Sequence, residues 1–141
     1  MKILLISLIS FFISFSTFSK EVVVEMLNKR DDGQKMVFSE DVVKVDVGDT
    51  VKWVATAKGH NVEFIAGPDG ATLPPKSGLN KDVSITFEKP GVYLYVCTPH
   101  KVMGMIGLVV VGNDSSNKDA IAGVKMMGRS KKKLASMIGS L

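Results

Sequence analysis

From Glu21 onward, apolar residues recur mostly at every second position. Val22, Val24 and Met26 fall on one face of a first strand, Val43, Val45 and Val47 alternate with Lys44 and Asp46, and Val51, Trp53 and Ala55 follow. His60 to Ile65, Val83 to Phe87, Val92 to Cys97 and Ile106 to Val111 continue as short runs rich in Val, Ile and aromatic residues. Alternation with this composition predicts β-strands. Asp31-Asp32-Gly33, Val47-Gly48-Asp49 and Lys89-Pro90-Gly91 supply turns between them, since Gly and Asp tolerate the backbone angles that a reversal needs. Seven or eight short strands so punctuated predict an all-β sandwich or barrel. The stretch from Gly67 to Lys81 holds three Pro and three Gly without periodicity and reads as a long surface loop. After Gly112 the period changes. Ile121, Val124 and Met127 stand at helical spacing behind Asn117 and Asp119, and Ser130 precedes Leu134, Met137, Ile138 and Leu141. These predict two short amphipathic helices laid against the sandwich.

The first stretch departs from this pattern. Ile3 to Phe18 is apolar apart from Ser and Thr, Lys2 provides a basic start, and Thr17 and Ser19 are small enough to flank a cleavage site. That is the layout of a secretory signal peptide, and the run is short of the roughly 20 apolar residues of a membrane span. The expected organisation is a signal peptide over 1–19, a sandwich over 20–112, and a helical extension over 113–141 packed on the same domain. Without Lys2, 17 Lys and Arg face 14 Asp and Glu, a net charge of about +3. So mild an excess gives no argument for nucleic acid, and once the leader is removed nothing predicts a membrane partner. An exported chain meets an oxidising compartment, yet this one has a single Cys, which rules out an internal disulfide. The lone thiol needs another role: metal ligation, pairing with another molecule, or plain burial.

Cys97-Thr98-Pro99-His100-Lys101-Val102-Met103-Gly104-Met105 joins two predicted strands and brings a thiol, an imidazole and two thioethers into nine residues. The only other histidine, His60, stands beside a turn at the start of another strand. Each residue alone has an ordinary reading: a buried small hydrophobe, a polar core residue, core filler. Together, two imidazoles and one thiolate with a weak thioether are the soft donor set of a blue (type 1) copper site. Cys97, His100 and Met105 can reach one centre from a tight loop, with His60 brought by a neighbouring strand. Other chemistries use parts of the same set. A copper delivery or storage module would prefer a more open, methionine-rich site. A Cys-His hydrolase needs a base beside Cys97 and a third orienting group such as Asn61. Zinc also accepts one Cys and two His.

With these residues in view, the chain resembles the cupredoxins, and among them the pseudoazurin group. The resemblance runs through Val24 to Lys29, Met36-Val37-Phe38, Val47 to Val51, Lys58 to Glu63, Pro90 to Tyr93, Cys97 to His100, Met103 to Ile106 and Val111-Gly112, and it includes the two C-terminal helices. It departs at Gly67-Pro68-Asp69-Gly70 and Leu73-Pro74-Pro75. The resemblance implies an eight-stranded Greek-key β-sandwich and one copper ion on His60, Cys97, His100 and Met105. It also implies a monomeric periplasmic electron carrier, not an enzyme, whose redox partner is a copper nitrite reductase or a c-type cytochrome. By the same resemblance Asn61 ties the ligand loops together and turns its backbone N–H toward the thiolate. Met36 lies near His100. Pro99, Met36, Met103 and Pro74 or Pro75 form an apolar patch around the His100 edge, within a ring of Lys29, Lys58, Lys76, Lys81 and Lys101. Pro99 has no N–H to offer the sulfur.

Overall fold

The computed structural model describes residues 19–141. The expected signal peptide over 1–19 lies, but for its last residue, outside the described residues. Eight strands run in order: β1 (Glu21–Lys29), β2 (Lys35–Phe38), β3 (Val42–Val45), β4 (Thr50–Val54), β5 (Glu63–Ala66), β6 (Val83–Thr86), β7 (Gly91–Val96) and β8 (Ile106–Val111). Two helices follow, α1 (Lys118–Ala122) and α2 (Arg129–Gly139). The strands form two four-stranded sheets, ordered β2-β1-β4-β6 and β3-β8-β7-β5. Most neighbours are antiparallel, but β1 runs parallel to β4 and β3 parallel to β8. Such pairs cannot be closed by tight turns and force the chain to cross between the sheets.

The alternation read from the sequence becomes the inner face. Val24, Met26, Val43, Val45, Val51 and Trp53 are buried between the sheets with Phe38, Phe64, Phe87 and Tyr95. Val47 is half exposed because β3 ends at Val45 and the chain has entered the turn. Strands β7 and β8 are buried at all six positions each. A strand hidden on both faces needs cover on both, and the helices provide the second. Ile121, Leu134 and Met137 close over Val92, Leu94, Val96, Ile106, Leu108 and Val110.

Four details differ from the sequence expectation. His60, expected at the start of a strand, lies before β5, which begins at Glu63. Strand β2, an edge strand of four residues, carries no alternation long enough to be read. The first helix stops at Ala122, so Val124 and Met127 lie beyond it, and Met127 is 72% exposed. Ser130 lies inside α2 and is fully buried; Gly128 precedes the helix instead. Residues 67–82 hold no strand or helix, as expected. This loop also fastens the interior, because Ala71 and Leu73 pack on the core.

Candidate metal centre

His60 lies between β4 and β5 in a segment without regular structure, which the long loop holds in place. The Gly59 N–H donates to Asn80 Oδ1 (2.6 Å), the Asn80 N–H donates to the His60 carbonyl (2.9 Å), and Ser77 Oγ accepts the Val62 N–H (2.9 Å). Nε2 of His60 lies 2.8 Å from Oδ1 of Asn28 on β1. A carbonyl oxygen only accepts, so the ring proton sits on Nε2 and Nδ1 is left as a bare lone pair.

Cys97 follows β7. Its N–H donates to the Met105 carbonyl (2.9 Å), closing the ligand loop where β8 begins. Between them Thr98–Met103 forms a short 3-10 helix that Gly104 ends at φ +102. The His100 N–H donates to the Cys97 carbonyl (3.0 Å), which folds the His100 ring back over the sulfur. His100 Nδ1 lies 3.5 Å from Cys97 Sγ, His60 Nδ1 lies 3.7 Å from it, and the two Nδ1 atoms are 3.2 Å apart. His60, Cys97 and Met105 are fully buried, and His100 alone of the four keeps a partly exposed ring. The structure thus brings the three sequence-predicted nitrogen and sulfur donors together and places Met105 at the mouth of the same loop.

Burial favours the neutral forms of Cys97 and His60 when no cation is bound. Burial pushes the Cys97 thiol above its ordinary value, against the pull of the Asn61 and His100 backbone N–H groups. His60 is held below its usual range, first by burial and then by the charge of His100. A buried thiol and two facing imidazole nitrogens, with no carboxylate in the same cluster among the described residues, suit a soft cation and not calcium or magnesium. The donor set therefore fits copper.

Asn61 links the two ligand segments as expected. Its Oδ1 accepts the Thr98 N–H (2.8 Å), and its Nδ2 donates to Thr98 Oγ1 (3.0 Å). The Thr98 hydroxyl donates onward to Glu63 Oε2 (2.6 Å), which fixes the direction of the chain of bonds. Met36, opposite Asn28 between the pairs Leu27–Val37 and Lys29–Lys35, has φ +50, unusual for a residue with a side chain. Sequence reasoning gave Asn28 and Glu63 no role. Asn28 could have been found: it continues the inward parity of Val22, Val24 and Met26, where a polar side chain asks for a partner. Pro99, Val102 and Met103 are exposed on the segment that carries His100. No acidic residue lies between Cys97 and Met105.

Residues 24–112 match the family model for copper binding proteins, plastocyanin/azurin family. The pseudoazurin of Methylorubrum extorquens is 42% identical over 116 residues, covering 81% of this chain and 77% of that protein. The pseudoazurin of Paracoccus pantotrophus is 41% identical over 113 residues, covering 79% and 77%. The crystal structure of native pseudoazurin from Hyphomicrobium denitrificans superposes with a TM-score of 0.80 at 45% identity, covering 86% of this chain and 98% of that one.

Proposed function

Given that the chain belongs to the plastocyanin/azurin family of copper-binding proteins, and within it to the pseudoazurins, we propose that this blue copper electron-transfer protein is a periplasmic one-electron shuttle. In this reading it delivers electrons to a copper nitrite reductase or a similar redox enzyme, or exchanges them with a c-type cytochrome. The observation that carries the reading is the convergence of two imidazole Nδ1 atoms and one thiol at 3.2–3.7 Å, buried except for one ring edge. His60, Cys97, His100 and Met105 would hold the metal, with Met105 as the weak donor. Bound there, copper supplies a one-electron change between Cu(I) and Cu(II). The chain supplies the rest. Asn28 orients His60, the Asn61–Thr98–Glu63 chain fixes the loop that carries Cys97 and His100, and the sandwich excludes water from all but the His100 edge. That edge, on a segment that exposes Pro99, Val102 and Met103, is the port for electrons. Export is supported by the apolar leader behind Lys2. Among the described residues no helix is long and apolar enough to cross a membrane.

The test begins with a visible spectrum after adding Cu(II). Wild type should turn intensely blue and be bleached by one electron equivalent. Cys97→Ser should bind copper without the colour, since only a thiolate gives that charge-transfer band. A blue Cys97→Ser protein would remove the ligand assignment. Stopped-flow mixing of the reduced protein with a copper nitrite reductase then tests the partner, and failure to oxidise would exclude it.

A further inference from the structure

The ligand loop is held at two ends by different parts of the molecule. At Thr98 it is tied to Asn61. At the other end, between His100 and Met105, it is met by the start of α2. The buried Ser130 hydroxyl donates to the Lys101 carbonyl. Gly128 has φ +60, and a Cβ there would stand 2.3 Å from the Val102 carbonyl oxygen, backbone against backbone, so only glycine lets the chain approach this closely. A Cβ on Gly104 would meet the Arg129 Cβ at 3.4 Å. Three consecutive residues at the head of α2 therefore touch three of the four residues separating His100 from Met105.

This contact rests on a fixed base. Leu134 and Met137 bury the rest of α2 on the outer face of β7 and β8. Lys133 pairs with Asp41 (2.7 Å), which also accepts from Arg30 (3.0 Å). A helix so anchored cannot slide without breaking apolar packing and an ion pair together, so its first turn presents a rigid surface to the loop.

We infer that the head of α2, through Gly128 and Ser130, is a positioning element that sets where His100 and Met105 stand relative to Cys97 and His60. The helical extension is then part of the metal centre's mechanical frame as well as cover for the second sheet. Neither residue touches the donor atoms, and both act through the backbone of Lys101 and Val102. The inference rests on the ligand roles proposed above for His100 and Met105.

Ser130→Ala removes the hydroxyl, and Ser130→Thr keeps it. Ile121→Val, on α1, weakens the same helical layer away from the loop. Copper-loaded Ser130→Ala should change the intensity ratio of the visible bands and release copper to a chelator about tenfold faster, the low end for loss of an outer partner of a metal ligand. Ser130→Thr should restore both, and Ile121→Val should lower Tm while leaving both at wild-type values. If Ser130→Ala lowers Tm alone, with ratio and release unchanged, the inference is overturned. Hydrogen exchange in the metal-free wild type gives a second reading that needs no variant and no copper. The Gly104 and Met105 amides should open with the same free energy as the amides of α2. Independent opening of the loop would overturn the brace even with the ligand assignment intact, whereas coupled opening in a protein that never turns blue would uphold the brace and remove the assignment.

Discussion

One amide oxygen decides which nitrogen of His60 faces the centre. With Asn28 Oδ1 taking the Nε2 proton at 2.8 Å, the ring enters the folded state in the tautomer that metal binding needs. Asn28→Ala leaves the ring free to protonate Nδ1, and copper affinity should fall about 10- to 100-fold, as for other outer partners of metal-bound histidines. Asn28→Asp, which keeps an acceptor, should recover most of it; competition against a chelator of known affinity measures both. Methionine identity is decided at the same scale. Met105 is fully buried and its backbone closes the ligand loop on Cys97, whereas Met103 is 41% exposed. Met105→Leu should therefore raise the reduction potential, because loss of a weak donor disfavours Cu(II), and Met103→Leu should shift it less. Protein-film voltammetry on the two variants checks the order. Three of the candidate ligands, Cys97, His100 and Met105, were legible in the sequence because they are chemically unusual and close along the chain, and His60 because it is the only other histidine. The parity of β1 marks Asn28 as a polar residue in need of a partner but does not name His60, and Glu63 carries no signal at all, since the groups that donate to them lie 32 and 35 residues away.

Among the elements, α2 is joined to the sandwich by a charge cluster whose members do not contribute equally. Burial would raise the Asp41 carboxyl, but hydrogen bonds and charges from Arg30 and Lys133 outweigh it and hold the group below its ordinary value. For Lys133 burial wins, and its ammonium is held below the usual lysine range despite Asp41. Lys133→Met should therefore change stability by less than about 1 kcal/mol, while Asp41→Ala, which strands Lys133 but leaves Arg30 paired with Asp32, should cost about 1–3 kcal/mol; both magnitudes follow the behaviour of partly buried pairs. Denaturant titration of the metal-free protein measures both. The sign with pH follows from the carboxylates. Asp41 and Asp32, the latter lowered to about 2 by Arg30, bind protons less readily when folded. Their stabilisation is complete above the unfolded value near 4 and is lost as pH falls through the folded values. Asp41→Asn should flatten the stability curve below about pH 4, where the unfolded carboxylate protonates while the lowered folded one does not yet. None of this cluster could be read from the sequence, where Arg30, Asp41 and Lys133 stand far apart. The unbroken apolar runs of β7 and β8, by contrast, already called for cover on both faces. The head of the first helix was readable and its end was not, because Gly123 stops α1 while the apolar spacing continues to Met127.

For the molecule as a whole, charge near the port matters more than the formal +4, since screening at physiological salt confines its reach to about 8 Å. Lys58 and Lys101 are exposed next to the two histidine segments, and a Cβ placed on Gly59 would stand 3.9 Å from the His100 ring. An acidic partner would be steered to this end and released readily, as suits weak, fast docking. The double variant Lys58→Glu with Lys101→Glu should slow second-order electron transfer to such a partner and reduce its dependence on ionic strength, with the visible spectrum unchanged. Equal rates and equal salt slopes would leave recognition to Pro99, Val102 and Met103 alone.

The parallel pairing of β3 with β8 also sets an order of events in time. Val42 stands opposite Leu108 and Val45 opposite Val111, so a chain still being made has no partner for β3 until almost all of the sandwich has emerged. Contacts so distant along the chain close slowly, which places folding in the millisecond-to-second range of all-β domains. His60 and Cys97, 37 residues apart on different segments, meet through the β5–β7 pairing that sets Glu63 opposite Val96. Copper arriving before that would find Cys97 and His100 without His60, so the folded apoprotein, and not the nascent chain, should be the species that acquires the metal.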